Sequence, residues 1–284
     1  MLTTRRTVLL AATAALAPAS RLLARQKLAG LKIGVTDWNL KRTGQPSALE
    51  LGKSLGFEGV EVSLGRANGL ALSDHAIQQQ YLEAAKKSKI AIAGTCLDIL
   101  HVNYLKSDPL GKKWVAEGIP VTQKLGARVM LLPFFGKGAL TAASDQSYVA
   151  DVLKELAPEA ARAGVVLGLE NTISAEDNAR ILDRVGSRAV RVYYDVGNST
   201  NNGFDILKEI KWLGKDRICQ IHLKDRGYLG EGKIDFPAVL GAIADIGFTG
   251  FANLETSSPS GSVESDMKRN LAFLRKLIDQ PARG

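Results

Sequence analysis

The chain has 284 residues and a formal net charge of +8, and 45% of its residues are hydrophobic. That length suits one large core, and a single α/β barrel routinely reaches it as one domain. No Lys/Arg run carries interleaved aromatics, which argues against nucleic acid or a membrane surface as a partner. The two cysteines, Cys96 and Cys219, lie in apolar runs and indicate buried thiols instead of a disulfide framework.

The first residues indicate a targeting segment. The stretch "TTRRTVLLAATAALAPAS" has paired arginines (Arg5 and Arg6), a short Ala/Leu run and small residues suited to cleavage between 19 and 26. It is too short to span a bilayer and resembles a twin-arginine signal peptide. Loss of residues 1–26 removes four arginines and lowers the formal charge from +8 to +4. We therefore expect residues 27–284 to form one exported domain, periplasmic or extracellular, without stable membrane association.

Eight short apolar or β-branched runs recur along the rest of the chain. They are "LKIGVT" (31–36), "GVEVSL" (59–64), "IAIAGTC" (90–96), "RVMLLPF" (128–134), "VVLGLE" (165–170), "VRVYYD" (190–195), "ICQIHLK" (218–224) and "GFANLE" (250–255). Segments with helical spacing, such as "YVADVLKELAPEAARAG", lie between them. This alternation predicts an α/β fold, a (β/α)₈ TIM barrel. A doubly wound open sheet is the alternative, but the glycines after the first run form no G-x-G-x-x-G.

A polar residue lies at or next to the end of each of the last four runs: Glu170, Asp195, His222 and Glu255. Barrels of this kind carry their chemistry at the C-terminal ends of the strands. Side chains along a strand alternate between the interior and the helices, and in "ICQIHLK" the polar residues Gln220, His222 and Lys224 share one parity. Because the helices must meet apolar faces, we expect the polar set to face inward and to converge at the barrel mouth.

Such a cluster of three carboxylates and one imidazole is electrostatically unfavourable without a positive charge between its members. A divalent cation removes this conflict, and an O/O/O/N donor set suits Mn²⁺, Mg²⁺ or Co²⁺ and can also hold Zn²⁺. The alternative is that four unrelated residues cap their strands or pair with nearby Lys and Arg. That alternative requires a coincidence on four consecutive strands, so we expect one divalent metal ion.

The motifs around these residues resemble the xylose isomerase-like superfamily of barrels, the sugar isomerase and epimerase family. They are "GLEN", "YYDVGN", "IHLKD", "NLET" and "GEGKIDF" (230–236), and the resemblance runs from residue 31 to about 278. It implies that Glu170, Asp195, His222 and Glu255 bind one divalent metal ion. It further implies that Glu170 and Glu255 move protons on opposite faces of a carbon in a keto or aldo sugar, through a metal-stabilised enediolate.

Other residues near strand ends are candidates for contacts with the substrate. Many relatives carry a histidine three residues after the aspartate, whereas this chain has Asn198, which can orient a hydroxyl but cannot shuttle a proton. Lys224 could hold a hydroxyl, carboxylate or enediolate oxygen, or pair with a neighbouring acid. The remaining candidates are Trp38, Phe134 with its neighbour Phe135, and His101. For each of them, ordinary packing or a surface position is the alternative. Glu61 and Asp98 could shape specificity or cap their strands.

Three rival functions fit parts of the same pattern. An apurinic endonuclease with three zinc ions would need more than the three histidines of this chain, His75, His101 and His222. An exported sugar-binding barrel without activity has little need of the full ligand set. A lyase or hydratase on 3-keto sugars or glycosides could use the same metal site. Export, and the lack of an arginine cluster or Gly-rich helix start in the sequence, favour an unphosphorylated substrate. A homo-oligomer is compatible with the sequence.

Overall fold

The computed structural model describes residues 28–66 and 69–279, so the predicted signal segment lies outside the described residues. Eight parallel strands form a closed barrel in chain order. They are β1 (Leu31–Thr36), β2 (Gly59–Ser63), β3 (Ala91–Cys96), β4 (Val129–Pro133), β5 (Val166–Glu170), β6 (Val190–Asp195), β7 (Ile218–Leu223) and β8 (Gly250–Leu254). Each predicted run forms one strand, and the TIM barrel prediction is confirmed.

Helices surround the barrel between successive strands. They are α1 (Ser47–Leu55), α2 (His75–Ser88), α3 (Pro109–Lys124), α4 (Ala143–Ala163), α5 (Ala175–Val185), α6 (Val196–Asn201), α7 (Ile206–Arg217), α8 (Phe236–Asp245) and α9 (Val263–Asp279). Short 3₁₀ turns cover Ala71–Ser73, Asp98–His101 and Gly136–Gly138. Within the described part of the chain, no helix is both long and apolar enough to cross a membrane.

Local sequence signals start and stop these helices. The Ser174 side chain accepts a hydrogen bond from the Asp177 backbone N–H at the start of α5. Gly186 ends the same helix in the left-handed conformation, at φ 66°, which a residue with a Cβ adopts only with strain. The intervening residues have a strongly amphipathic pattern, and Ile181 and Leu182 are buried against the barrel.

The barrel interior has an apolar part and a polar part. A small apolar cluster, formed by Cys96, Val129, Leu131 and Tyr193, is separate from the large core between strands and helices. Nearby, polar side chains from β2, β7 and β8 are also almost fully buried: Glu61, Gln220, His222 and Asn253. Buried polar groups of this kind require hydrogen-bond partners inside the barrel.

Two irregularities in strand pairing help to aim these polar side chains. Between β2 and β3, Val60 pairs with Ile92 but Glu61 pairs with Gly94, so Ala93 is an extra residue. A second register shift lies between β6 and β7, at Val192/Tyr193. Such β-bulges bend a strand and redirect side chains, and they are common near functional sites.

Candidate metal centre

Four neighbouring strands bring the four polar residues predicted as ligands into one cluster. Glu170 ends β5, Asp195 ends β6, His222 lies in β7, and Glu255 follows β8. Each offers one ligand atom, and these atoms all lie within 4.8 Å of one another. Parallel strands in register place their C-terminal ends at the same height, as the pairing of Asp195 with His222 shows.

The imidazole of His222 lies at the middle of the cluster. Its Nδ1 is 2.9 Å from Glu170 Oε1, 3.6 Å from Glu255 Oε2 and 3.9 Å from Asp195 Oδ2. His222 has no exposed surface, and Glu170 and Asp195 are almost fully buried. The side chain of Glu255 is 22% exposed, so the cluster opens towards solvent on the β8 side.

Lys224 is the cation that approaches the cluster most closely among the described residues. Its Nζ lies 2.6 Å from Glu255 Oε2 and 2.8 Å from Asp195 Oδ2. This approach depends on Gly197, because a Cβ at that position would overlap the Lys224 side chain. The pairing with acids, one of the two interpretations of Lys224, is therefore observed.

The electrostatics show a cluster that is short of positive charge. Burial raises the pKa of Asp195 to about 8, with Lys224 opposing this effect and the charges of Glu170 and Glu255 adding to it. Burial also works against ionisation of Glu255, but His222 and Lys224 outweigh it and hold the pKa of that carboxyl at about 2. Burial and the neighbouring acids thus oppose ionisation of Asp195, whereas His222 and Lys224 favour ionisation of Glu255.

The donor set fits a divalent cation. Three carboxylates and one imidazole nitrogen match the preferences of Mn²⁺, Mg²⁺, Co²⁺ or Zn²⁺, and a dication would supply the missing charge. The pKa of His222 stands well above its ordinary value, because the carboxylates of Glu170, Glu255 and Glu61 outweigh its burial. A bound cation would replace that proton at Nδ1.

Glu61 holds His222 from the side opposite the cluster. Glu61 Oε2 lies 2.9 Å from His222 Nε2, and it accepts hydrogen bonds from the Tyr193 hydroxyl (2.8 Å) and from Asn253 Nδ2 (3.3 Å). An acceptor at Nε2 favours the tautomer whose Nδ1 lone pair points into the cluster. This role was missed in the sequence, although Glu61 in "GVEVSL" lies on a short alternating strand like the polar residues of β7.

A buried hydrogen-bond network continues from Glu61 across the barrel. Asn253 Nδ2 donates to the Tyr193 hydroxyl at 2.7 Å and to Gln220 Oε1 at 3.0 Å. Gln220 Nε2 in turn donates to the Ala93 carbonyl at 2.6 Å, at the extra residue of β3. A network that joins β2, β3, β6, β7 and β8 restricts the position of His222.

Trp38 and Asn198 contact the two glutamates predicted as acid and base. Trp38 Nε1 donates to Glu255 Oε1 at 3.1 Å. Asn198 Nδ2 lies 3.5 Å from Glu170 Oε1, and the Asn198 backbone N–H donates to Asp195 Oδ1 at 2.8 Å. Both residues therefore orient carboxylates of the cluster. A contact of either one with substrate remains a prediction.

The aromatic candidate after β4 needs correction. Phe134 is 1% exposed and packs in the hydrophobic core, so its ring offers no open face to a sugar. The next residue, Phe135, is half-buried and stacks on the His101 ring, with centroids 6.2 Å apart. Burial and Arg66 lower the pKa of His101, while Asp98 and Glu255 act in the opposite direction. The structure therefore favours Phe135 over Phe134 at the mouth, next to His101.

Comparison with protein families identifies the family of this barrel. The family model described as xylose isomerase-like TIM barrel matches residues 49–277. The chain belongs to this family. The match begins in α1 and ends in α9, so all four cluster residues of this xylose isomerase-like barrel lie within it.

Several proteins that resemble the chain are named as epimerases. The chain is 28% identical over 202 residues to 2-epi-5-epi-valiolone 7-phosphate 2-epimerase of Actinoplanes sp., covering 68% of this chain and 72% of that protein. D-psicose 3-epimerase, solved in the presence of D-fructose, superposes with a TM-score of 0.75 at 16% identity, over 88% of this chain and 100% of that one. A 3-keto-D-glucoside 4-epimerase from E. coli gives a TM-score of 0.68 at 17% identity, over 87% and 99%. At these identities the two solved structures establish the fold alone.

Proposed function

We propose that this protein is a divalent metal-dependent sugar isomerase or epimerase that acts on a keto or aldo sugar by proton transfer. One observation carries the proposal: two glutamates from non-adjacent strands, Glu170 of β5 and Glu255 after β8, belong to a single candidate cation site. Membership of the xylose isomerase-like family, and a curated relative that is an epimerase, support it.

The cluster residues divide into those that would hold the cation and those that would also move protons. Glu170, Asp195, His222 and Glu255 would hold it. A divalent cation bound there would act as a Lewis acid and make a C–H bond next to a carbonyl more acidic. Asp195 and His222 lie on the two strands between β5 and β8, so they would fix the position of the cation.

We infer that Glu170 and Glu255 act as an acid and base pair. They approach His222 Nδ1 from β5 and from the end of β8, at 2.9 Å and 3.6 Å. A carboxylate on each side of a bound carbon permits removal of a proton on one face and return on the other. Trp38 restrains Glu255 through a hydrogen bond, and burial of Glu170 keeps bulk water away from it.

For the substrate, we propose a free or oxidised sugar in an exported enzyme. The argument rests on the twin-arginine-like segment in residues 1–26, because sugar phosphates are mostly confined to the cytoplasm. Relatives differ here: the Actinoplanes enzyme is named for a 7-phosphate and the E. coli enzyme for a 3-keto glucoside. Fractionation of cells that express the full chain tests export, and recovery only in the cytoplasm would contradict it.

Solvent deuterium exchange tests the reaction itself. Metal-loaded protein is incubated in D₂O with a panel of keto sugars, and deuterium at carbon and epimer formation are followed by NMR. Exchange that needs the metal, and that disappears in Glu170→Gln and Glu255→Gln, would support the proposal. Loss of water from a 3-keto sugar would instead identify a lyase or hydratase. Sugar binding without any exchange would identify a binding barrel.

A further inference from the structure

A cavity next to the candidate metal centre is lined by three basic side chains. It has a volume of about 420 Å³ and opens beside the loop after β7. Lys224, Arg226 and Lys233 line it, together with Gly197, Thr200 and Ile234. Such a volume is large enough for part of a sugar and a small substituent. No run of arginines in the sequence indicated this cavity, because its cations are spaced along a loop.

The one acidic residue of the lining, Asp225, is held by hydrogen bonds from its own loop. Asp225 accepts hydrogen bonds from the backbone N–H groups of Arg226 (2.8 Å), Gly230 (3.2 Å), Gly232 (3.1 Å) and Lys233 (3.2 Å). Its carboxylate is therefore satisfied by its own loop. Within residues 28–66 and 69–279, neither Arg226 nor Lys233 forms an ion pair with a carboxylate through its side chain. Both cations are left available for a ligand.

The loop that carries these cations is organised before any ligand binds. Four backbone hydrogen bonds to Asp225 hold residues 225–233 in one conformation. Gly232 is required for this arrangement, because a Cβ there would overlap the Asp225 carboxylate. A loop fixed in this way loses less conformational entropy on binding than a flexible loop would.

Lys224 belongs both to the wall of the cavity and to the surroundings of the candidate metal centre. Its Nζ contacts Glu255 and Asp195, while the same side chain forms part of the cavity wall. Gly197, which also lines the cavity, has no side chain that could separate the two spaces. The cavity therefore adjoins the cluster at Lys224.

We propose that this cavity binds an anionic group, a carboxylate or a phosphate, at the end of the sugar remote from the reacting carbon. The inference rests on the proposed function, because the proposed function places the reacting carbon at the candidate metal centre. Guanidinium and ammonium groups form charge-assisted hydrogen bonds with both anions. The preferred substrate is then an acidic sugar, and a neutral sugar of the same skeleton binds more weakly.

Calorimetric titration with three probes that differ only at C6 tests the proposal: D-fructose, D-fructuronate and D-fructose 6-phosphate. The samples are metal-loaded wild type, the double variant Arg226→Gln/Lys233→Gln, and the control variant Lys154→Gln. The control removes an exposed positive charge from α4, which does not line the cavity. We expect at least one acidic probe to bind wild type about tenfold more tightly than D-fructose, a modest factor because both cations are exposed. The double variant should lose this preference, and Lys154→Gln should keep it.

The outcomes separate this inference from the proposed function. Equal affinity for acidic and neutral probes, or a preference that survives in the double variant, would overturn it. Tighter binding of D-fructuronate alone would identify a sugar acid, and tighter binding of the phosphate alone would contradict the argument from export. Deuterium exchange measured on the same samples tests the reaction. A preference for an acidic probe without any exchange would support the anion site and contradict the proposed isomerase or epimerase activity.

Discussion

The two halves of the barrel mouth both carry buried acids, yet they use them differently. On β5 to β8, Glu170, Asp195 and Glu255 point at one centre and share the two cations His222 and Lys224. On the β1 to β3 side, Asp37 and Asp98 have local partners of their own. The same residue type at a strand end therefore serves either a shared ligand site or local structure, depending on what it faces.

The acids after β1 and β3 illustrate the local use. Asp37 has no exposed surface, and its Oδ2 accepts the backbone N–H groups of Ser63 (3.1 Å) and Gly44 (3.3 Å). Asp98, after β3, accepts a hydrogen bond from the hydroxyl of Ser63, the last residue of β2. Glu61 belongs to neither group, because it lies on β2 but supports His222 on the far side of the barrel.

The largest expected effect is on the rate of deuterium exchange, which should depend on the acids of the β5 to β8 half and much less on those of the β1 to β3 half. Glu170→Gln and Glu255→Gln should each lower the rate of deuterium exchange by about 10²- to 10⁴-fold, the usual contribution of an acid or base. Asp98→Asn, on the other side of the mouth, is the matched control and should change the rate by less than about tenfold. Equal losses in all three variants would mean that the halves do not differ in function.

The hydrogen bond between Glu61 and His222 connects the two halves, and variants of Glu61 test its importance. Glu61→Ala should weaken metal binding by about 10- to 100-fold, because His222 loses the acceptor that fixes its tautomer. Glu61→Gln keeps an acceptor for Nε2–H and should retain most of the affinity. Chelator competition measures both variants.

Tyr193→Phe is the control for the Glu61 variants, because it removes a different hydrogen bond to Glu61 and leaves His222 Nε2 paired. It should bind metal nearly as well as wild type. A Glu61→Ala variant with wild-type affinity would show that Glu61 only fills the barrel interior. Nitrogen NMR of His222 gives an independent readout, since the tautomer should become mixed in Glu61→Ala.

The role of Asp37, in the β1 to β3 half, can be tested through the pH dependence of the free energy of unfolding. Burial raises the pKa of Asp37 from 3.8 to about 7, against the backbone hydrogen bonds from Ser63 and Gly44. Because the native pKa is above the unfolded value, folding takes up a proton between these two values, and this contribution to stability is lost as the pH rises through about 7.

Asp37→Asn removes that pH dependence. Relative to wild type, the variant should gain about 2 to 4 kcal/mol in the free energy of unfolding between pH 4 and pH 8. Urea titrations of both proteins at the two pH values measure this difference. A constant difference between the proteins would contradict a raised pKa at Asp37.

The smallest expected effect concerns Trp38, which joins the two halves directly. Trp38→Phe keeps the ring but removes the hydrogen bond to Glu255 Oε1. We expect the exchange rate to fall about five- to tenfold with metal content unchanged, because a hydrogen bond to a charged group is lost at a partly exposed site. A fall in metal content as large as that of Glu61→Ala would instead make Trp38 part of the metal site.

Much of the fold could be predicted from the sequence because the signals are local. Each strand run is short, apolar and bounded by turn residues, and strand pairing in chain order follows from eight β/α repeats. The convergence of Glu170, Asp195, His222 and Glu255 was also predictable, since strand alternation and the shared direction of the strands fix where their side chains point.

The contacts across the barrel could not be predicted in this way. Glu61 and His222 are 161 positions apart and meet only because the barrel closes, with an extra residue at Ala93 that alternation does not indicate. The position of Phe134 depends on which of two adjacent rings turns into the core, a choice made by packing. The cavity at Arg226 and Lys233 depends on the loop that Asp225 organises.

Metal stoichiometry tests the central claim most directly. Elemental analysis after equilibrium dialysis against Mn²⁺ is made on wild type beside Asp195→Asn and His222→Gln, with Asp98→Asn as the control from the other half. We predict about one ion per chain in wild type and in the control, and much less in the two cluster variants. Binding that is equal in all four proteins, or absent from wild type, would contradict a metal centre at the end of β5 to β8.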